Sequence, residues 1–122
     1  MHPQKFSLSR LIKSFYYAFA GIKKFMLSER NAMLHLAATF FVLVLSLLLK
    51  VSTTEAIALA GAVGLVWVAE MFNTCLEKVM DFISAEERPE IKLIKDVSAG
   101  AVLIASGTAL VIGLLIFIPK IL

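Results

Sequence analysis

Apolar residues fall along this chain in two rhythms. Leu8, Leu11, Ile12, Phe15, Phe19, Ile22 and Met26 recur at i, i+3, i+4 spacing, while Arg10, Lys13, Tyr17 and Lys24 take the other side. That stripe predicts an amphipathic helix lying in a membrane interface, basic on its wet face, over residues 1–30. The rhythm then gives way to continuous runs. Residues 31–49 hold no formal charge unless His35 is protonated, residues 56–76 are interrupted only by Glu70, and residues 97–118 carry none. Each run approaches the roughly 20 residues that a spanning helix needs. The expectation is an all-α integral membrane protein of one domain over residues 1–122, with membrane helices at 31–49, 54–83 and 93–118.

Composition agrees with lipid as the solvent. Of the 122 residues 60% are hydrophobic, and the mean hydropathy is +0.90, more apolar surface than a soluble domain of this length could hide. The net charge of +3 matters less than its placement. Lys5, Arg10, Lys13, Lys23, Lys24 and Arg30 precede the first run and Lys50 alone follows it, so the positive-inside rule sets the N-terminus in the cytoplasm. Three spans then leave residues 50–54 outside and residues 84–95 inside, where Arg88, Lys92 and Lys95 fit the rule. The first 30 residues do not read as a secretory signal, because the basic stretch is long and no small-residue cleavage site follows. A lone Cys75 excludes an intrachain disulfide.

The second membrane helix carries the anomaly. Ser52-Thr53-Thr54-Glu55 contains the Ser-x-x-Glu capping box that would start it at the outer surface. A helix over 54–83 would be roughly 45 Å long, more than the hydrocarbon thickness of about 30 Å, so its last turns should reach the cytoplasm. Glu70 lies roughly 24 Å from Thr54, near the inner headgroup boundary. Glu70, Asn73, Glu77 and Asp81 are spaced three, four and four apart and share one face. Acids in such a row repel unless something positive lies between them. A divalent cation is one answer, and Lys95 at the start of the third membrane helix is another. Glu29, Arg30, Lys95 and Asp96 belong to the same cytoplasmic layer. A solvated helix end accounts for Glu77 and Asp81 taken singly, but not for the deeper Glu70, since an intramembrane acid defaults to function.

The parts in this layer suit phosphoryl transfer to a lipid hydroxyl: a carboxylate base, further acids for Mg²⁺, and basic side chains for phosphate. Neither a G-x-x-x-x-G-K-[ST] loop nor a kinase Gly-rich loop is present. A small proton-coupled transporter or channel subunit using Glu70 is the competing reading, but it needs its acid near the midplane with access from both sides. A non-catalytic scaffold has no reason to align the four polar residues.

Glu70-x-x-Asn73-x-x-x-Glu77-x-x-x-Asp81, followed by Lys95-Asp96 and Ala-Gly-Ala-Val-Leu-Ile, resembles the signature of the prokaryotic diacylglycerol kinases, which include the undecaprenol kinases. Arg10, Gly21 and the Glu29-Arg30-Asn31 junction extend the resemblance over essentially the whole chain. It implies a homotrimer of the bacterial inner membrane with sites between subunits. It also implies ATP and Mg²⁺, a diacylglycerol or undecaprenol acceptor, and no nucleic-acid partner. Glu70 matches the general base, supported by Asn73, while Glu29 and Glu77 match the metal ligands. Arg10, Tyr17, Lys95 and Asp96 match nucleotide contacts, and Asp81, Glu86 and Arg88 join that candidate set. The loop departs from the pattern, reading Glu86-Glu87-Arg88-Pro89 where the family often has Glu-Tyr-His-Pro. The stretch 28–35, with Asn31 and His35, is more like the undecaprenol branch.

Overall fold

The computed structural model describes residues 5–122, and those residues form four helices and no strand. They are α1 (Leu8–Ser28), α2 (Arg30–Leu48), α3 (Thr53–Ile83) and α4 (Pro89–Ile121). The last three are each long and apolar enough to cross a membrane. The chain divides into two compact units, Met1–Leu36 and Ala37–Leu122.

The first unit holds α1 and the opening turns of α2. The helix expected over 1–30 occupies Leu8–Ser28, and residues 1–4 of that expectation lie outside the described residues. One extended residue, Glu29 (φ −101°, ψ 125°), separates α1 from α2. Its N–H donates to the Phe25 carbonyl at 3.1 Å and its own carbonyl accepts from Ala32 N–H at 3.2 Å, so the break leaves little backbone unsatisfied. Phe25 and Ala32 are buried, whereas Leu8, Ile12, Phe15 and Phe19 along the α1 stripe are exposed. A continuous exposed apolar stripe of this kind calls for a non-aqueous partner.

The second unit is organised by α3 and α4, an antiparallel pair joined by the short loop at 84–88. Its seam buries Leu59, Ala62 and Met80 of α3 with Ala105 and Phe117 of α4. Ion pairs close both ends. Lys95 Nζ lies 2.6 Å from Asp81 Oδ1 beside the loop, and Lys120 Nζ lies 3.0 Å from Glu55 Oε1 at the far end. Glu55 and Asp81 are about 39 Å apart along α3 at 1.5 Å per residue. That length approaches the full bilayer with its headgroup regions, roughly 40–45 Å, so each pair falls where charge is tolerated. The remainder of α2 contacts α3 through Trp67 Nε1, which donates to Thr39 Oγ1 at 2.8 Å. Phe40, Leu47, Ile57, Leu103 and Leu110 stay exposed, as expected of side chains solvated by lipid.

The helix ends follow from local chemistry. At the start of α3, Ser52 Oγ accepts from Glu55 N–H at 3.2 Å and Ser52 N–H donates to Glu55 Oε1 at 2.9 Å, the reciprocal capping box that its sequence foretells. The preceding turn bends through Lys50, which takes a left-handed conformation (φ 51°), while Val51 N–H reaches the Ser46 carbonyl at 3.2 Å. On the other side, α4 starts at Pro89, four residues ahead of the expected start at 93. Proline at the first helical position gives up no hydrogen bond that the helix would have made there. The connection between α3 and α4 therefore shrinks from the expected 84–95 to 84–88, and Lys95 and Asp96 are helical residues of the second turn. Ser52→Ala should cost about 1 kcal/mol of stability through the lost cap. A thermal midpoint a few degrees lower in detergent or bilayers checks this.

Candidate active site

Among the described residues, the buried polar side chains are Glu70, Asn73 and Thr74 of α3 and Ser98 of α4. Glu70 is 5% exposed and Asn73 9%. A carboxylate shielded to this degree inside an apolar helix pair costs free energy that packing alone does not return. The α3 face found in the sequence is thus partly enclosed. Asn73 Nδ2 donates to Glu77 Oε1 at 3.3 Å, one turn toward the loop. That bond fixes which way the amide points, because the reverse orientation would set two oxygens against each other. It leaves Asn73 Oδ1 buried without a partner among the described residues.

Two cavities flank this face. A polar one of about 440 Å³ lies at the loop end, and Asp81, Glu86, Arg88, Lys95 and Asp96 all line it, together with Lys92. Its cations are held by neighbouring acids: Lys95 on Asp81 and Lys92 on Asp96, both at 2.6 Å, and Arg88 Nη2 3.7 Å from Glu86 Oε2. The loop itself is braced by Glu86 N–H on Ser84 Oγ at 3.1 Å. These pairs are largely exposed, so their worth to stability is small. Their consequence is chemical. Three cations and several acids converge on one concavity and can exchange partners with an arriving polyanion. The second cavity, about 470 Å³, is an apolar groove between α3 and α4 that takes in Asn73 and Ser98 among side chains such as Phe72, Leu76, Leu93 and Ala101. Lys92, Lys95 and Asp96 on one side of α4, against Leu93, Val97 and Ser98 on the other, set the polar cavity and the groove on opposite faces of that helix.

Five of the eleven residues singled out from sequence thus surround one cavity, and Glu70, Asn73 and Glu77 continue the same α3 face. Arg10, Tyr17 and Glu29 lie in the first unit. Arg10 is in the first turn of α1, and Glu29 is the break between α1 and α2. Tyr17 is exposed, with its ring edge-on to Tyr16 at 5.8 Å between centroids. Sequence reasoning counted Lys92 only toward topology and overlooked Ser98 and the Glu55–Lys120 pair. The Lys92–Asp96 pair was open to discovery as an i, i+4 couple. Ser98, a lone hydroxyl at the head of an uncharged run, gave no comparable signal.

No group of three or more His, Cys, Asp or Glu side chains able to hold a metal forms among the described residues. Mg²⁺ does not require one, since it usually binds through one or two carboxylates completed by water and substrate phosphates. The donor chemistry at Glu77 suits that mode: one carboxylate oxygen is oriented by Asn73 and the other is left to a ligand.

Residues 16–117 match the family described as prokaryotic diacylglycerol kinase. The chain is also similar to the undecaprenol kinase of Bacillus subtilis (strain 168), 37% identical over 113 residues that cover 93% of this chain and 92% of that protein. It is 34% identical over 113 residues to a diacylglycerol kinase of a Synechocystis species, covering 92% of this chain and 65% of the longer relative.

The orphaned Asn73 oxygen has a consequence for stability. Replacing a half-satisfied buried amide by an apolar group of similar shape removes a desolvation cost. Asn73→Leu should therefore leave stability unchanged or raise it by up to ~1 kcal/mol, read as a thermal midpoint at or above that of the parent protein. A clear loss of stability would show that the amide is needed for packing.

Proposed function

Since the chain belongs to the prokaryotic diacylglycerol kinase family, whose members are lipid kinases, we propose that it transfers the γ-phosphoryl group of ATP to the hydroxyl of diacylglycerol or undecaprenol. The observation that carries the residue assignment is the buried Glu70, one turn from Asn73 and about 16 Å along α3 from Asp81 at the polar cavity. A base must sit at the depth of a lipid hydroxyl, whereas a nucleotide is held where water reaches. One continuous helix face offers both.

In this reading the Glu70 carboxylate takes the proton of the lipid hydroxyl. The hydroxyl oxygen bonds to the γ-phosphorus as the bond from that phosphorus to the bridging oxygen breaks, and ADP leaves. Asn73 orients the base region through its bond to Glu77. Lys95, Arg88 and Lys92 receive phosphate charge, with Asp81, Glu86 and Asp96 shaping the same cavity. Asp96 and Asp81 also act by holding the lysines ready before nucleotide arrives. Glu77 and Glu29 would hold Mg²⁺, which supplies charge neutralisation at the phosphates when bound. Arg10 and Tyr17 of α1 complete the nucleotide contacts. The exposed stripe of α1 lies in the inner headgroup layer, the N-terminus is cytoplasmic in the bacterial inner membrane, and the protein works as a homotrimer with its sites between subunits. The span lengths and the basic residues of α1 support the topology.

Glu70→Gln keeps the shape and removes the base. It should lower turnover by about 10²–10⁴-fold, the usual weight of general-base catalysis, with ATP binding and assembly intact. Turnover within a few-fold of the parent protein would sink the base assignment. Lys95→Gln should instead raise the KM for ATP, and an unchanged KM would remove Lys95 from the nucleotide site.

A further inference from the structure

Trp67 is the chain's one tryptophan, and its depth is unusual for that residue. It lies about 18 Å along α3 from Glu55 and about 21 Å from Asp81, the residues that carry the ion pairs at the two ends of the helix. That places it inside hydrocarbon, not in the interfacial belt where tryptophan normally anchors a span. An indole N–H at such depth needs an acceptor within the protein. It finds one on another helix, since Nε1 donates to Thr39 Oγ1 of α2 at 2.8 Å. The backbones of α3 and α4 approach closely along their seam, whereas α2 stands further off. The side-chain bond therefore bridges a gap that backbone packing leaves open.

Rotation about α3 shows what the bridge flanks. At about 100° per residue, Trp67 lies about 60° to one side of Glu70 and Asn73 about 60° to the other. Asn73 lines the groove toward α4, and Trp67 reaches α2. Glu70 is thus directed between the two. Thr74, seven residues beyond Trp67, shares its stripe and is 8% exposed. Two polar side chains are therefore buried on or beside the flank of α3 that faces no close backbone neighbour. Their burial draws on α2 as well as α4.

We infer that the Trp67–Thr39 hydrogen bond is a positioning element for the proposed base, drawing α2 over the flank of Glu70 and keeping water from the carboxylate on that side. Water admitted there would compete with the lipid hydroxyl for the base. It would also offer the γ-phosphorus a second acceptor, whose product is inorganic phosphate in place of a lipid phosphate. Both side chains act through Glu70. The link to catalysis rests on the lipid-kinase reading, but the shielding of Glu70 does not.

The test uses the full chain in phospholipid bilayers, with Thr39→Val removing the acceptor and Trp67→Phe the donor. A hydrogen bond between neutral side chains in lipid shifts an equilibrium by about 3-fold on average and at most about 20-fold. Modification of Glu70 by a water-soluble carbodiimide, read by mass spectrometry against the exposed Asp81, should rise within that range in each variant. The double variant should do no more than the stronger single, because both remove one bond. Emission from Trp67 should move to shorter wavelength in Thr39→Val. With Mg-ATP and a lipid alcohol, turnover should fall 3- to 10-fold with the KM for ATP within 2-fold, and phosphate released per lipid phosphorylated should rise. Thr39→Ser, which restores the acceptor, should recover the parent values. A parent protein that transfers no phosphate, but whose variants expose Glu70, would defeat the kinase reading while supporting the shield. Unchanged labelling of Glu70 in both single variants would overturn the inference. So would additive effects in the double variant, or an altered oligomeric mass in Thr39→Val, because the two side chains would then serve packing or assembly instead.

Discussion

The register of α3 against α4 is the constraint on which the rest of the second unit depends. Two ion pairs set it, Asp81 with Lys95 beside the loop and Glu55 with Lys120 at the far end. A slip of one helical turn, about 5.4 Å, would break both pairs together. It would also separate Asn73 from Ser98 across the groove and move the acids of α3 away from Lys95 and Asp96. Neither pair contributes much where water reaches it. Their value lies in register, since they penalise the alternative alignments that a smooth apolar seam would otherwise allow.

That register brings two solvents to one helix. The loop end of α3 and α4 carries an aqueous, multiply charged cavity, and a turn or two away the same helices enclose Glu70, Asn73, Thr74 and Ser98 among hydrocarbon. Buried polar groups without full hydrogen bonding oppose folding, and Asn73 Oδ1 is such a group. Keeping such groups inside an apolar helix pair gives up stability, which is the usual signature of a functional position. Phosphoryl transfer to a lipid would employ Glu70 as the base, with Asn73 one turn away holding Glu77.

Much of this was legible in the sequence because it depends on local rules. The runs at 31–49 and 56–76, the Ser52–Glu55 box and the spacing of Glu70, Asn73, Glu77 and Asp81 all follow from helical geometry, and the pairing of Lys95 with those acids is one of the two options that their spacing leaves open. What was not legible arises where two helices meet. Pro89 reads from sequence as part of a long loop, yet it opens α4. Ser98 and Lys120 have no meaning until α4 is laid on α3. The orphaned oxygen of Asn73 emerges only from the direction its amide must take toward Glu77. Arg10, Tyr17 and Glu29 were legible through family resemblance rather than periodicity, and they occupy a unit of their own.

Phosphoryl transfer to a lipid is tested most directly by following the label of γ-labelled Mg-ATP into lipid extracted from bilayers containing the purified protein, with diacylglycerol and undecaprenol supplied side by side. The expected result is label in a lipid monophosphate, dependent on the added alcohol. Protein that is folded and binds ATP, yet leaves both lipids unlabelled, would contradict it.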